Sequence, residues 1–385
     1  MFVRYSDAPY ICARCLSRQS RRLYSSQTDN TPPPPPSGAA KLTNRRLISL
    51  HGEEAPKFLQ GIITNNVRPD SRAGFYAAFL TAPGKVLNDV FIYPTIGTNW
   101  HQDANEDEQQ GYLVEVDADD AHNLLKHIKK HKLRSKFKLR VLDAGELDVW
   151  SKWEEDERWT AHSQGSLEDG VLGLVDARAP GMGQRLLMPS SSQHGVPAEV
   201  EADEAPLSAY TVRRYLRGVA EGQKEIPRDD SLPMNYNLDI MGGIDFKKGC
   251  YIGQELTIRT HHTGVVRRRV LPVALYAHDG QPPEKLEYGL NAGIVGLEDG
   301  TEIRRDDKRK RATGKLIASV GNVGLGMCRL EQMSDLTISG EGSSFSPEDR
   351  FLVQGAGGQE VGVKAFMPDW LRGRIREPRL NRRVE

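Results

Sequence analysis

The chain has 385 residues, and its 52 Lys and Arg are balanced by 52 Asp and Glu. That length supports two or three domains of about 100–200 residues each, while a mean hydropathy of −0.54 and the lack of any run of about 18 apolar residues argue against a membrane-spanning helix. A net charge of zero lacks the Lys/Arg surplus of a general nucleic-acid binder, and four cysteines in so long a chain do not make a disulfide framework.

The chain opens with Arg4, Arg14, Arg18, Arg21 and Arg22, several serines, and Asp7 as the lone acid before residue 25. This Arg- and Ser-rich, acid-poor composition predicts a mitochondrial transit peptide over 1–24, cleaved after Tyr24, and hence a matrix protein. No apolar core of about 7–15 residues is present to make it a secretory signal. Cys12 and Cys15 form a C-x-x-C inside that segment, with no second pair to complete a zinc site. Cys250 and Cys328 remain. Pro32 to Pro36 predict an extended linker over 25–41, with folded sequence beginning near Leu42.

Phe75–Leu80 and Val86–Tyr93, separated by Ala82-Pro83-Gly84-Lys85, read as a β-hairpin. Gly97–Gln110 reads as a polar, acidic excursion before a strand at Gly111–Val116. Ala121, Leu124, Leu125 and Ile128 fall on one face of a helix over Asp119–His131. Strands are expected at Leu139–Leu142, Val171–Val175 and Arg185–Met188. Ser208 is a candidate cap for a helix running to Gly218, with Val212, Tyr215, Leu216 and Val219 inward. The first two-thirds, 42–265, therefore mixes strands and helices as α+β. From 266 to 385 short strands, glycines and turns predict a small β-barrel or sandwich, with surface loops at 301–311 and 334–349.

Few patterns in the chain carry chemistry. His127 and His131 have zinc spacing, but lysines surround them and no Glu sits between, so the pair reads as cations near a helix C-terminus. His261-His262 before Arg267-Arg268-Arg269 reads as a charged edge strand or as an anion receptor. No phosphate-cradling glycine loop is present. The richest stretch is Phe246-Lys247-Lys248-Gly249-Cys250-Tyr251-Ile252-Gly253-Gln254-Glu255. Its glycines suggest a tight turn, and its lysines favour a thiolate at Cys250. An inert buried thiol is the other reading. Gln254 and Glu255 have the groups to bond a polar ring or a partner's backbone, and Cys328 reads as a core residue.

That stretch is similar to the K-G-C-[FY]-x-G-Q-E signature of the YgfZ-type proteins, folate-binding relatives of the glycine-cleavage T-protein, an aminomethyltransferase. The resemblance extends to His51–Gly61 and Thr64-Asn65-Asn66, to the hairpin Thr81–Lys85, to Arg214 with Gly218–Gly222, and to Leu232-Pro233 before Asn237-Leu238-Asp239. It implies a pseudo-symmetric, folate-binding, GcvT-like α+β body with a C-terminal β-barrel, and, with the matrix signal, the branch that assembles iron–sulfur clusters. By the same resemblance the motif cysteine is Cys250, the cofactor is tetrahydrofolate, and the partners are A-type carrier proteins and [4Fe–4S] client enzymes. Asp89 is then the candidate for the pterin, Arg214 or Arg259 for the glutamate tail, and Gln254 and Glu255 for the polar contacts beside them.

Two departures bear on the chemistry. The Asp-Asp pair of the aminomethyltransferases reads Asn88-Asp89 here, and Cys250 stands where those enzymes lack a thiol. A folate-binding assembly factor acting through Cys250 is therefore preferred to a folate-dependent aminomethyltransferase or to a binding module without chemistry. A single thiolate cannot hold a cluster that takes four, so any cluster must be shared with a partner or a non-protein thiol.

Overall fold

The computed structural model describes residues 31–104, 110–154, 167, 170–190, 200, 202–289, 297–307, 311–339, 342–355 and 357–375. The arginine-rich start, with Tyr24, Cys12 and Cys15, lies outside them, as does part of the acidic excursion. The elements run β1 (Gly38–Lys41), β2 (Arg45–His51), α1 (Ala55–Ile62), β3 (Phe75–Leu80), β4 (Val86–Pro94), α2 (Asn99–Ala104), β5 (Gly111–Asp117), α3 (Ala121–Lys132), β6 (Lys138–Val141), β7 (Leu147–Trp153), β8 (Gly173–Val175) and β9 (Gln184–Pro189). Then come α4 (Leu207–Arg217), α5 (Gln254–Thr263), β10 (Arg268–Ala277), β11 (Glu302–Arg305), β12 (Ala312–Val320), β13 (Val323–Arg329), α6 (Leu330–Met333), β14 (Phe351–Gln354), β15 (Glu360–Ala365) and α7 (Asp369–Arg372).

Three β assemblies result. An antiparallel sheet has the order β3-β4-β5-β2-β6, a second has β1-β7-β9-β8, and β10-β13-β12-β11-β14-β15 close into a six-stranded barrel. The predicted hairpin is β3–β4, and the predicted C-terminal β domain is the barrel. Strand β4 is buried along its whole length, so its two faces serve two cores. Val90 and Ile92 join the cluster under α1 and α3, with Ala121, Leu124 and Ile128 from α3. Phe91 and Tyr93 face the second sheet and α4. Period-2 alternation thus splits one strand between two cores. Leu271, Val273, Ile303, Leu316 and Val363 fill the barrel, together with Cys328, which is the core residue expected.

Two expectations change. Folded structure begins at Gly38, because β1 pairs with β7 from Gly38↔Trp153 to Lys41↔Trp150 inside the stretch read as linker. Helix α4 starts at Leu207 with Pro206 as its N-cap and no side-chain capping bond, so Ser208 does not cap it. Its end is as read. Gly218 takes a left-handed φ of 72°, and a Cβ there would stand 2.7 Å from Pro272 Cδ on β10, so only glycine lets the barrel approach the helix.

Candidate functional site

The cysteine loop is clamped to the end of α1 and the loop that follows it by backbone and side-chain hydrogen bonds. Asp245 N–H donates to Thr64 O (3.0 Å) and Ile252 N–H to Gly61 O (3.1 Å). Thr64 Oγ1 donates to Gly243 O (2.6 Å), and Asn65 Nδ2 donates to Gly242 O and Tyr76 O, each at 2.8 Å. Residues 59–66 and 242–252 are therefore one physical unit, though almost two hundred positions separate them. Gly253 closes the clamp with φ 81°, and a Cβ there would meet Thr81 O at 2.2 Å. No side chain fits. Out of this clamp Cys250 projects to solvent.

The Lys248 ammonium is engaged away from the thiol. Lys248 Nζ donates to Ile63 O (2.7 Å) and Asn65 O (2.8 Å) and lies 4.9 Å from the centre of the Tyr251 ring. Burial pushes its pKa down to about 8, partly offset by Asp245. Lys248 is a strut between the two segments. Gln254 accepts from Tyr251 N–H (3.3 Å) within its own turn, while Glu255 and Arg259 are exposed on α5.

A cavity of about 450 Å³ opens between the two sheets beside this clamp, a size suited to a small organic ligand. Asn65, Asn66, Gly242 and Asp245 form one wall, and Tyr76, Phe91 and Arg178 form its interior. Tyr76 Oη and Arg178 Nη1 are both buried and have no hydrogen-bond partner, although Tyr76 is 6% and Arg178 1% exposed. Burying unsatisfied donors is costly, and here both line a space able to receive acceptors. Neither residue stood out in the sequence, because a lone Tyr in a strand and a lone Arg in a loop carry no pattern.

Behind the cavity lies a dry charge network. Arg45 pairs with Asp89 (3.7 Å) and Glu115 (2.7 Å), and Arg178 with Asp176 (2.7 Å) and Glu221 (2.9 Å). Arg185 reaches Glu115, Asp176 and Glu221. Burial opposes ionisation of Glu221, but Arg185, Arg178 and Arg45 together hold it well below the usual carboxylate range. Asp89 goes the other way. Burial raises its pKa, against the pull of Arg45. Its Oδ1 accepts from Gly222 N–H (3.0 Å), and its Oδ2 accepts no hydrogen bond.

Neither Asp89 nor Arg214 lines the cavity. Arg214 is buried and forms a bidentate pair with Glu225, at 2.7 and 2.8 Å, so its guanidinium is closed to a ligand tail. Asn88 donates to Asp120 Oδ2 (2.6 Å) and accepts from Arg228 (2.6 Å), a buried structural contact. Cys250, Gln254, Glu255 and Arg259 lie outside the cavity lining.

Residues 267–373 match the family described as CAF17, C-terminal beta-barrel domain. Over almost the whole chain, it is 45% identical to the mitochondrial iron–sulfur cluster assembly factor IBA57 homolog of Aspergillus fumigatus, with 95% of this chain and 90% of that one covered. The corresponding protein of Pyricularia oryzae is 46% identical, covering 96% and 95%. The chain belongs to the IBA57 family of mitochondrial iron–sulfur cluster assembly factors. Its fold is similar to that of the glycine cleavage system aminomethyltransferase T of Bartonella henselae, with a TM-score of 0.58 over 87% of this chain and 86% of that one. At 12% identity that likeness extends to the fold alone. The transferase reading is not favoured for a chain this similar to assembly factors. No helix among the described residues is long and apolar enough to cross a membrane.

Proposed function

We propose that this IBA57 relative presents the Cys250 thiolate as one ligand to an iron–sulfur cluster during maturation of [4Fe–4S] proteins, on a loop braced by the cavity wall. Among the described residues no three His, Cys, Asp or Glu side chains converge to hold a metal. The other ligands to the cluster then come from an A-type carrier or client protein docked over the exposed thiol. The observation that carries the reading is shared structure: Asn65, Gly242 and Asp245 line the cavity and also hold the cysteine loop. A ligand in the cavity therefore changes how Cys250 is held.

The residues present fit tetrahydrofolate as that ligand, with Tyr76 and Arg178 donating to its ring and Phe91 packing against it. When bound, tetrahydrofolate supplies a reduced pterin ring with basic nitrogens. Asp89 acts through Tyr76, whose hydroxyl feels the Asp89 charge, and is a positioning residue.

The test is the rate at which a maleimide labels Cys250 in the native protein, followed by mass spectrometry, with and without tetrahydrofolate. Saturating tetrahydrofolate is expected to change that rate at least about threefold, and Tyr76→Phe combined with Arg178→Gln to abolish the change. An unchanged rate in the face of calorimetrically proven binding would separate the cavity from the thiol and overturn the coupling.

A further inference from the structure

Charge is one-sided along the second half of α3 and the turn after it. Between Asp120 and Asp143 the sequence holds eight Lys and Arg and no Asp or Glu, in a chain whose charges balance overall. Leu124 and Ile128 are buried under the helix, while Lys126, Lys129, Lys130 and Arg134 stand exposed. The helix dipole favours cations in a last turn, so Lys129, Lys130 and Lys132 need no further reason. Leu133 is different. It is 86% exposed, with φ 49° and ψ −112°, and Ser135 N–H donates to Lys132 O (2.9 Å) across it. Leu133 is therefore the second residue of a type II′ turn, a place that suits glycine. A leucine there strains the backbone and leaves a large apolar side chain in water. One residue breaks two local preferences at once, which is expected where function overrides stability. Glu54, at the start of α1, braces the turn by accepting from Lys136 N–H (2.5 Å). The other end of α1 holds the cysteine loop, through Gly61 O and Ile252 N–H. The basic lobe and the cysteine loop thus meet opposite ends of one helix.

We propose that this lobe is a peripheral docking surface for an anionic lipid bilayer, with Lys126, Lys129, Lys130 and Arg134 among the headgroups and Leu133 in the boundary with the acyl chains. Clusters of about four to eight Lys and Arg are drawn to anionic headgroups, and an apolar side chain beside them supplies the second contact that makes such binding hold. Leu133 also decides between polyanions. A nucleic acid pairs with the cations and has no use for a projecting aliphatic side chain, whereas a bilayer takes that side chain out of water. The attachment is reversible and salt-dependent, and it needs no spanning helix.

Vesicle flotation of the protein purified from mitochondria tests this, with vesicles of phosphatidylcholine alone and of phosphatidylcholine carrying about one-fifth cardiolipin. Wild type is expected to partition onto the anionic vesicles at least about tenfold more than onto the neutral ones at low salt, and the excess to vanish at high salt. Lys126→Gln, Lys129→Gln, Lys130→Gln and Arg134→Gln together remove that excess. Leu133→Gly lowers it about threefold, while its melting temperature stays at or above that of wild type, because glycine relieves the turn. Equal partition of wild type onto both vesicles, or an excess that survives the four charge substitutions, overturns the proposal. An excess unchanged in Leu133→Gly overturns it too, since the lobe is then a charged face without a membrane contact. A short DNA duplex that binds wild type as tightly as the anionic vesicles, and binds Leu133→Gly equally well, makes the lobe a nucleic-acid surface and likewise overturns it.

Discussion

Asp89 shows how position alone assigns a residue its role. It is fully buried among three guanidiniums and three other carboxylates, and burial raises its pKa while Arg45 resists. A carboxyl whose folded pKa is raised contributes stability at low pH that is lost as pH rises through that value. Ionised Asp89 is therefore a net cost near neutrality. Asp89→Asn keeps an acceptor for Gly222 N–H, so thermal melts at pH 7.5 (roughly matrix conditions) are expected to show an unchanged or higher Tm, while tetrahydrofolate affinity falls because Tyr76 loses its charged neighbour. A Tm lowered by more than about 5 °C would mean that the Arg45–Asp89 pair stabilises the fold. The sequence singled out Asp89 through a family motif, but not its burial. Tyr76 and Arg178 were invisible for a different reason: they converge only when two sheets meet.

Helix α3 was legible because Ala121, Leu124, Leu125 and Ile128 repeat with helical period. Helix α5 was not, since Thr257 is its one buried residue and Leu256 and Ile258 alone break an otherwise polar sequence; its position comes from packing Gly253 against the β3–β4 hairpin, which no periodicity encodes. β1 was missed because its Gly-Ala-Ala-Lys has no strand signature and depends on pairing with β7. The histidines of α3 carry a consequence of their own. Burial first, then His131, Arg228 and Lys130, push the His127 pKa down to about 4, and its Nε2 is buried without a partner. The folded state thus resists a proton that the unfolded chain takes near pH 6.5, so stability is full above that pH and is lost as pH falls toward 4. Melting temperatures measured across this window should fall less steeply in His127→Leu than in wild type. Parallel slopes would mean that His127 takes up its proton in the folded state at the ordinary pH.

At the scale of the molecule, the charge network joins what the hydrogen-bonded sheets leave separate. Arg185 on β9 of the second sheet reaches Glu115 on β5 of the first, and Glu221 beyond α4. Such a network holds two layers in one registration, and breaking it strands carboxylates in a dry interior. Arg185→Met is expected to cost about 3–5 kcal/mol in urea unfolding at pH 7, and less at pH 4, where the orphaned carboxyls take up protons. A cost below about 1 kcal/mol at pH 7 would show that hydrophobic packing alone registers the sheets. The barrel, by contrast, was readable from turn and strand spacing because β11–β12, β12–β13 and β14–β15 pair neighbours in the chain, although β10 closes it against the distant β13 and β15.

We propose that the exposed Cys250, on a loop whose base shares the cavity wall, takes part in cluster assembly, while Cys328 packs the barrel, where burial pushes its pKa up to about 12. Aconitase-type [4Fe–4S] enzyme activity in cells depleted of the native protein, then complemented with each variant at matched abundance, tests it most directly. Cys328→Ser should restore the activity, at a packing cost of about 1 kcal/mol. Cys250→Ser should not, because a serine alkoxide is unavailable near neutral pH to ligate iron. Full rescue by a stably folded Cys250→Ser would contradict the account and leave the thiol with no part in the function.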